Sequence, residues 1–94
     1  MQGMTGTARL PDELGRLLRE RREALGLSKL ELARKAGKVR EVVYRLEEGQ
    51  EASVSSLLAV ARALGLVVKL ERAGLPSAEE VARRFQDDDD GDAS

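Results

Sequence analysis

The sequence has no cysteine, no histidine and no tryptophan, and its aromatic content is one tyrosine and one phenylalanine. Without cysteine there is no disulfide and no thiolate metal site. Without histidine the commonest general base and the commonest zinc ligand are missing. No phosphate-cradling glycine loop or glycine-rich nucleotide fingerprint is present. The expectation is therefore a protein that is not an enzyme and takes no cofactor or metal. No apolar run approaches the roughly 20 residues that cross a bilayer. The first ten residues, MQGMTGTARL, lack the charged-then-apolar order of a secretory leader. A cytoplasmic location is expected.

Ninety-four residues make one small domain with a modest core. Sixteen basic residues face seventeen acidic ones, for a net charge of −1. The distribution matters more than the sum. Asp87, Asp88, Asp89, Asp90 and Asp92 crowd the C-terminal end, and without them sixteen basic residues face twelve acidic ones. The part with apolar periodicity is mildly basic.

The stretch Leu27–Gly49, LSKLELARKAGKVREVVYRLEEG, organises the chain. Ser28 followed by Glu31 is a capping box that opens a helix. Leu32, Ala33 and Ala36 then recur at helical spacing. Gly37 suits the left-handed backbone that stops a helix. Val39, Val42, Val43 and Leu46 predict a second apolar stripe, ended by Gly49, with Arg40, Glu41, Tyr44 and Arg45 on the opposite side. Two short helices across a glycine turn, the second with a polar outer face, form a helix-turn-helix arrangement.

On the N-terminal side, residues 1–9 read as a flexible arm. Pro11, Asp12 and Glu13 suit the first turn of a helix whose buried stripe is Leu14, Leu17, Leu18, Arg21 and Leu25, ended by Gly26. On the C-terminal side, Ser53 caps a fourth helix with Val54, Leu57, Leu58, Ala61 and Leu64 as its apolar face and Gly65 as its stop. That helix is expected to be the central packing element. Leu66–Arg72, LVVKLER, changes to a period of two. A lone strand leaves backbone groups unpaired, so pairing of Leu66, Val67, Val68, Lys69 and Leu70 with a second copy is expected. After Gly74-Leu75-Pro76, Ser77 and Glu80 open a short helix with Val81, Ala82 and Phe85, and residues 87–94 read as a solvated acidic tail.

The run from about Leu14 to Leu66 resembles the Cro and lambda-repressor helix-turn-helix family, also called the XRE family. The resemblance rests on Arg22 to Gly26-Leu27-Ser28, Leu32-Ala33, Gly37, Arg45-Leu46-Glu47 with Gly49, and Leu57-Leu58 through Ala63-Leu64-Gly65. The tail after Leu66 looks like that of HipB-type antitoxins. The resemblance implies a mainly α, lambda-repressor-like bundle of four to five helices over residues 10–65. A C-terminal β-strand and short helix over residues 66–86 would serve dimerisation. It implies that Lys29, Arg40, Glu41, Tyr44 and Arg45 contact DNA bases and that Ser28 and Lys38 contact phosphate. It implies a structural ion pair between Arg22 and Glu47. The sequence departs from the family pattern at Lys29, where glutamine is common. It departs again at Lys38-Val39, where a capping Ser or Thr usually precedes the recognition helix, and at Glu48, where Asn is common.

Double-stranded DNA and a second copy are thus the expected partners. The leading reading is a dimeric transcriptional repressor that reads a palindrome through residues 39–47. An antitoxin that silences a toxin protein and represses its own operon is the alternative. A protein-interaction adaptor that has lost DNA binding is kept open by Glu47, Glu48 and Glu51.

Overall fold

The computed structural model describes residues 6–73. Residues 1–5, the expected helix opening at Ser77 and the acidic tail lie outside the described residues. Four helices follow in order: α1 (Pro11–Ala24), α2 (Lys29–Ala36), α3 (Arg40–Glu47) and α4 (Val54–Ala63).

α1 starts at Pro11, whose fixed φ and missing N–H suit the first helical position. Leu10 stands at the cap and has no side-chain acceptor. The Glu13 carboxylate supplies half of a capping box instead, accepting from the Arg9 N–H at 2.8 Å and the Leu10 N–H at 3.2 Å. Leu18 is buried, Leu14 and Leu17 are partly buried, and the Arg21 Nε donates to the Leu64 carbonyl at 2.9 Å. Leu25 departs from expectation: it is 43% exposed. It follows the last helical residue, and the turn at Gly26 carries it out of the stripe.

The helices share one way of ending. At Gly37, φ is +71°, the Gly37 N–H donates to the Arg34 carbonyl at 3.1 Å, and the Lys38 N–H donates to the Ala33 carbonyl at 2.8 Å. This is a Schellman motif, which returns donors to the orphan carbonyls of the last turn. Open space surrounds the Gly37 α-carbon, so backbone conformation alone calls for glycine there. Gly26, Gly49 and Gly65 close α1, α3 and α4 with the same bond pattern.

The core is Leu18, Leu32, Ala33, Val43, Leu46, Val60 and Leu64. Leu32, Val43, Val60 and Leu64 are its largest fully buried side chains. Truncating a leucine of this kind to alanine costs about 2–5 kcal/mol. α2 and α3 pack on each other, α1 packs chiefly on α3, and α4 packs chiefly on α2. The centre of the bundle is therefore the α2–α3 pair rather than α4. The stripe of α4 is also rotated from the expected one. Val54 and Leu58 are exposed, whereas Ser56 and Val60 are buried beside Ala61 and Leu64. Ser56 tolerates burial because its N–H and hydroxyl both bond to the Ser53 Oγ, at 3.1 and 2.9 Å.

Gly15 explains how α1 reaches α3. It is buried, and a Cβ there would run into the carbonyl oxygens of Leu46 and Glu47. The missing side chain lets the two backbones meet where α3 ends. Among the described residues no strand is present. Leu66–Arg72, expected as a strand, is neither helix nor strand in the described residues.

Candidate nucleic-acid interface

α2 is positioned by its cap. The Ser28 Oγ accepts from the Glu31 N–H at 3.0 Å, and the Glu31 carboxylate accepts from the Ser28 N–H at 2.8 Å. The bond from the Ser28 N–H to the carboxylate favours its ionised form and, with a smaller contribution from the Ser28 side chain, holds Glu31 below its ordinary value of 4.5. Ser28 is exposed, as a phosphate contact requires. Its own N–H is committed to Glu31, so the amides of Lys29 and Leu30, in the first turn, are the donors left for an anion.

α3 divides into two sides. Val43, Leu46 and Glu47 are buried; Arg40, Glu41, Tyr44 and Arg45 are exposed. Lys29, from the start of α2, sets its ammonium 5.4 Å from the centre of the Tyr44 ring. The attraction is between the cation and the negative face of the ring. Glu41 and Arg45, one turn apart, approach to 3.6 Å with both side chains more than half exposed. An exposed pair of this kind contributes little to stability and opens readily. Lys38 is half-buried in the turn before α3. All five residues expected at bases thus fall on or beside one solvent-facing surface, coupled in two pairs, with Arg40 outside both.

Arg22 and Glu47 hold α3 in place. The Arg22 Nε donates to Glu47 Oε2 at 2.6 Å, the Nη2 to Oε1 at 3.1 Å, and the Nη1 to the Leu27 carbonyl at 2.9 Å. Both residues are buried. The hydrogen bond with Glu47 raises the Arg22 pKa above its usual value, against the opposing effect of burial. One guanidinium therefore joins α1, the turn before α2, and the inner side of α3.

Val39 corrects the sequence expectation. It is 67% exposed and occupies the cap of α3, where no side chain accepts a hydrogen bond. Apolar periodicity assigned it inward, but a cap residue has extended backbone and precedes the helical stripe. It stands between Lys38 and Arg40, so it adds an exposed apolar side chain to the polar surface of α3. The signal in the sequence is that Val39 itself stands at the position where a capping Ser or Thr usually precedes the recognition helix. Glu48 and Glu51 are exposed at and after the end of α3, away from its N-terminal turn.

A family model described as helix-turn-helix, HTH_3, matches residues 18–68, more than half of the 94 residues. The chain belongs to this helix-turn-helix family. The matched span runs from Leu18 in α1 through Val68, so it contains α2, the glycine turn, α3 and α4. Membership makes this helix-turn-helix protein a DNA-binding transcription regulator in the general sense, of the Cro and XRE-like type. Curated proteins yield no significant match. No helix of the described residues is long and apolar enough to cross a membrane.

Proposed function

We propose that this protein is a dimeric repressor that reads a palindromic operator with α3. The observation that carries the reading is the division of α3. Its inner side is pinned by Val43, Leu46 and the Glu47–Arg22 pair, while Arg40, Glu41, Tyr44 and Arg45 stand together in solvent. Helices of this motif enter the major groove by their N-terminal residues while the preceding helix crosses the backbone. Arg40 and Arg45 each clasp a guanine through O6 and N7, and Glu41 accepts from a cytosine amino group. Each good bidentate contact discriminates by about 1–3 kcal/mol. Tyr44 and Val39 meet thymine methyl groups, Lys29 braces Tyr44 or reaches guanine, and Lys38 with the first turn of α2 holds phosphate.

Dimerisation is supported by the apolar run after α4. In extended backbone Leu66, Val68 and Leu70 share one face. Leu66 packs on the core, whereas Leu70 is 95% exposed, so an apolar face leaves the domain uncovered. Val67, on the other side, is also exposed, beside a Lys69–Glu71 pair at 3.2 Å. Covering this run by the same run of a second copy pairs its backbone and sets two α3 helices about 34 Å apart, one turn of DNA.

Selection of duplexes from a randomised pool tests the reading. Enrichment of an inverted repeat with half-sites one turn apart is expected, and wild-type protein that enriches no sequence contradicts it. In sedimentation, Val67→Lys with Leu70→Lys should give a monomer. A dimer that survives both lysines rejects the ribbon. The antitoxin reading draws on the same uncovered run, with a toxin as its cover. A stable complex with the product of the adjacent reading frame, lost in the same double variant, favours it over the simple repressor.

A further inference from the structure

A groove of about 610 Å³ opens where the C-terminal ends of α1, α2 and α4 converge, apart from the exposed side of α3. Arg21, Lys35 and Arg62 line it, and none of its lining residues is acidic. No carboxylate of the described residues pairs with any of the three cations within 4.0 Å. Ala36, Ala59 and Ala63, each half-buried, line the groove beside the cations with small apolar side chains. The surface is thus an apolar trough with three positive charges that no carboxylate of the described residues pairs.

The complement is written later in the same chain. Residues 6–73 hold fourteen basic and ten acidic residues, while residues 74–94 hold two basic and seven acidic ones. In that later segment Val81 and Phe85 are followed at once by Asp87–Asp90. That segment thus carries both apolar side chains and negative charge, the two features that the lining of the groove complements. Connectivity permits the match, because Gly65, where α4 ends, itself lines the groove. Even a random coil of about 20 residues covers roughly 25 Å. A tether of that length holds a segment at an effective concentration on the order of mM, so a weak contact suffices to fill the groove.

We propose that this groove is the seat of the protein's own C-terminal segment. Phe85 lies against Ala36, Ala59 and Ala63, and Asp87–Asp90 lie opposite Arg21, Lys35 and Arg62. Seated there, the acidic run neutralises the domain on a side other than α3 and is kept away from the residues proposed to meet DNA.

Amide chemical shifts of the full-length chain test this without DNA, so the outcome is independent of the operator reading. In D87N/D88N/D89N/D90N the amides of Ala36, Ala59, Ala63 and Gly65 should shift most, and those of Arg40–Arg45 should stay. Raising salt to about 0.5 M, where the screening length falls to a few ångströms, should move wild type toward the variant. Lys35→Glu with Arg62→Glu should release the segment in the same way, seen as a shift of the Phe85 amide. Groove amides that do not respond to the four asparagines overturn the proposal. So does a response concentrated at Arg40–Arg45, which would seat the acidic run on the DNA-facing side. Mixing labelled variant with unlabelled wild type should leave the groove amides at their variant positions. Their return to wild-type positions would assign the groove to a second copy's tail and reject the own-chain seat.

Discussion

Arg22 and Glu47 form a two-pronged ion pair between α1 and α3, with Nε–Oε2 at 2.6 Å and Nη2–Oε1 at 3.1 Å, under nearly complete cover. Desolvation makes such a pair costly to break and less costly to replace whole. Arg22→Met or Glu47→Leu alone should destabilise the fold by about 3–5 kcal/mol in chemical denaturation, because each strands a buried charge. The double variant should lie closer to wild type than either single one. Additive losses would show that the two residues act separately.

Gly15→Ala ordinarily stabilises a helix by about 1 kcal/mol. Here the added methyl meets the Leu46 and Glu47 carbonyls. The net outcome should be a loss of about 1–3 kcal/mol, the usual penalty for overpacking. The lost stability should appear as a lower denaturation midpoint with helicity retained. An unchanged or higher midpoint would mean that α1 does not approach α3 this closely.

Val39 occupies a cap with extended backbone, no acceptor and little burial. Val39→Ser should therefore stabilise the protein by about 1 kcal/mol, as Ser28 and Ser53 already do for α2 and α4. Differential scanning calorimetry reads this directly. A lower Tm would place Val39 in the core after all.

These two sites mark where the fold was legible in the sequence and where it was not. The starts at Ser28 and Ser53 and the stops at the four glycines have local causes: a side-chain acceptor, or a backbone conformation that only glycine adopts freely. They were readable without knowing what packs on what. Gly15 carries no such mark, since its role depends on the Leu46 and Glu47 carbonyls of another helix, far along the chain. The inner face of α4 is not the one that hydrophobicity alone favours, since Ser56 lies inside and Val54 and Leu58 outside. Only the Ser53 bond shows why a serine goes inward. Of the DNA-facing residues, the sequence located the exposed side of α3. It did not show that Lys29 would be tied to Tyr44 and Glu41 to Arg45, because those pairings depend on how α2 and α3 cross and on rotamers.

Glu31 makes the cap of α2 sensitive to acid. Its pKa in the folded chain lies below the ordinary 4.5 because the ionised form accepts the Ser28 N–H. Its contribution to stability is complete above the unfolded value and is lost as pH falls through the lower folded value. Glu31→Gln keeps an acceptor but cannot titrate. Wild type should therefore exceed the variant in stability at pH 7 by more than at about pH 3, with the gap closing below the ordinary carboxylate range. An equal gap at both pH values would show that the capping carboxylate does not sense protonation.

The most direct measurement is a fluorescence titration of the selected duplex and a scrambled one, at one salt concentration, with wild type and with Arg40→Ala plus Arg45→Ala. Both arginines are exposed, so the fold should survive by circular dichroism. Loss of two bidentate base contacts should weaken the selected duplex by about 2–6 kcal/mol and bring it near the scrambled one. A double variant that still prefers its site as wild type does would contradict the assignment of α3 as the reading helix.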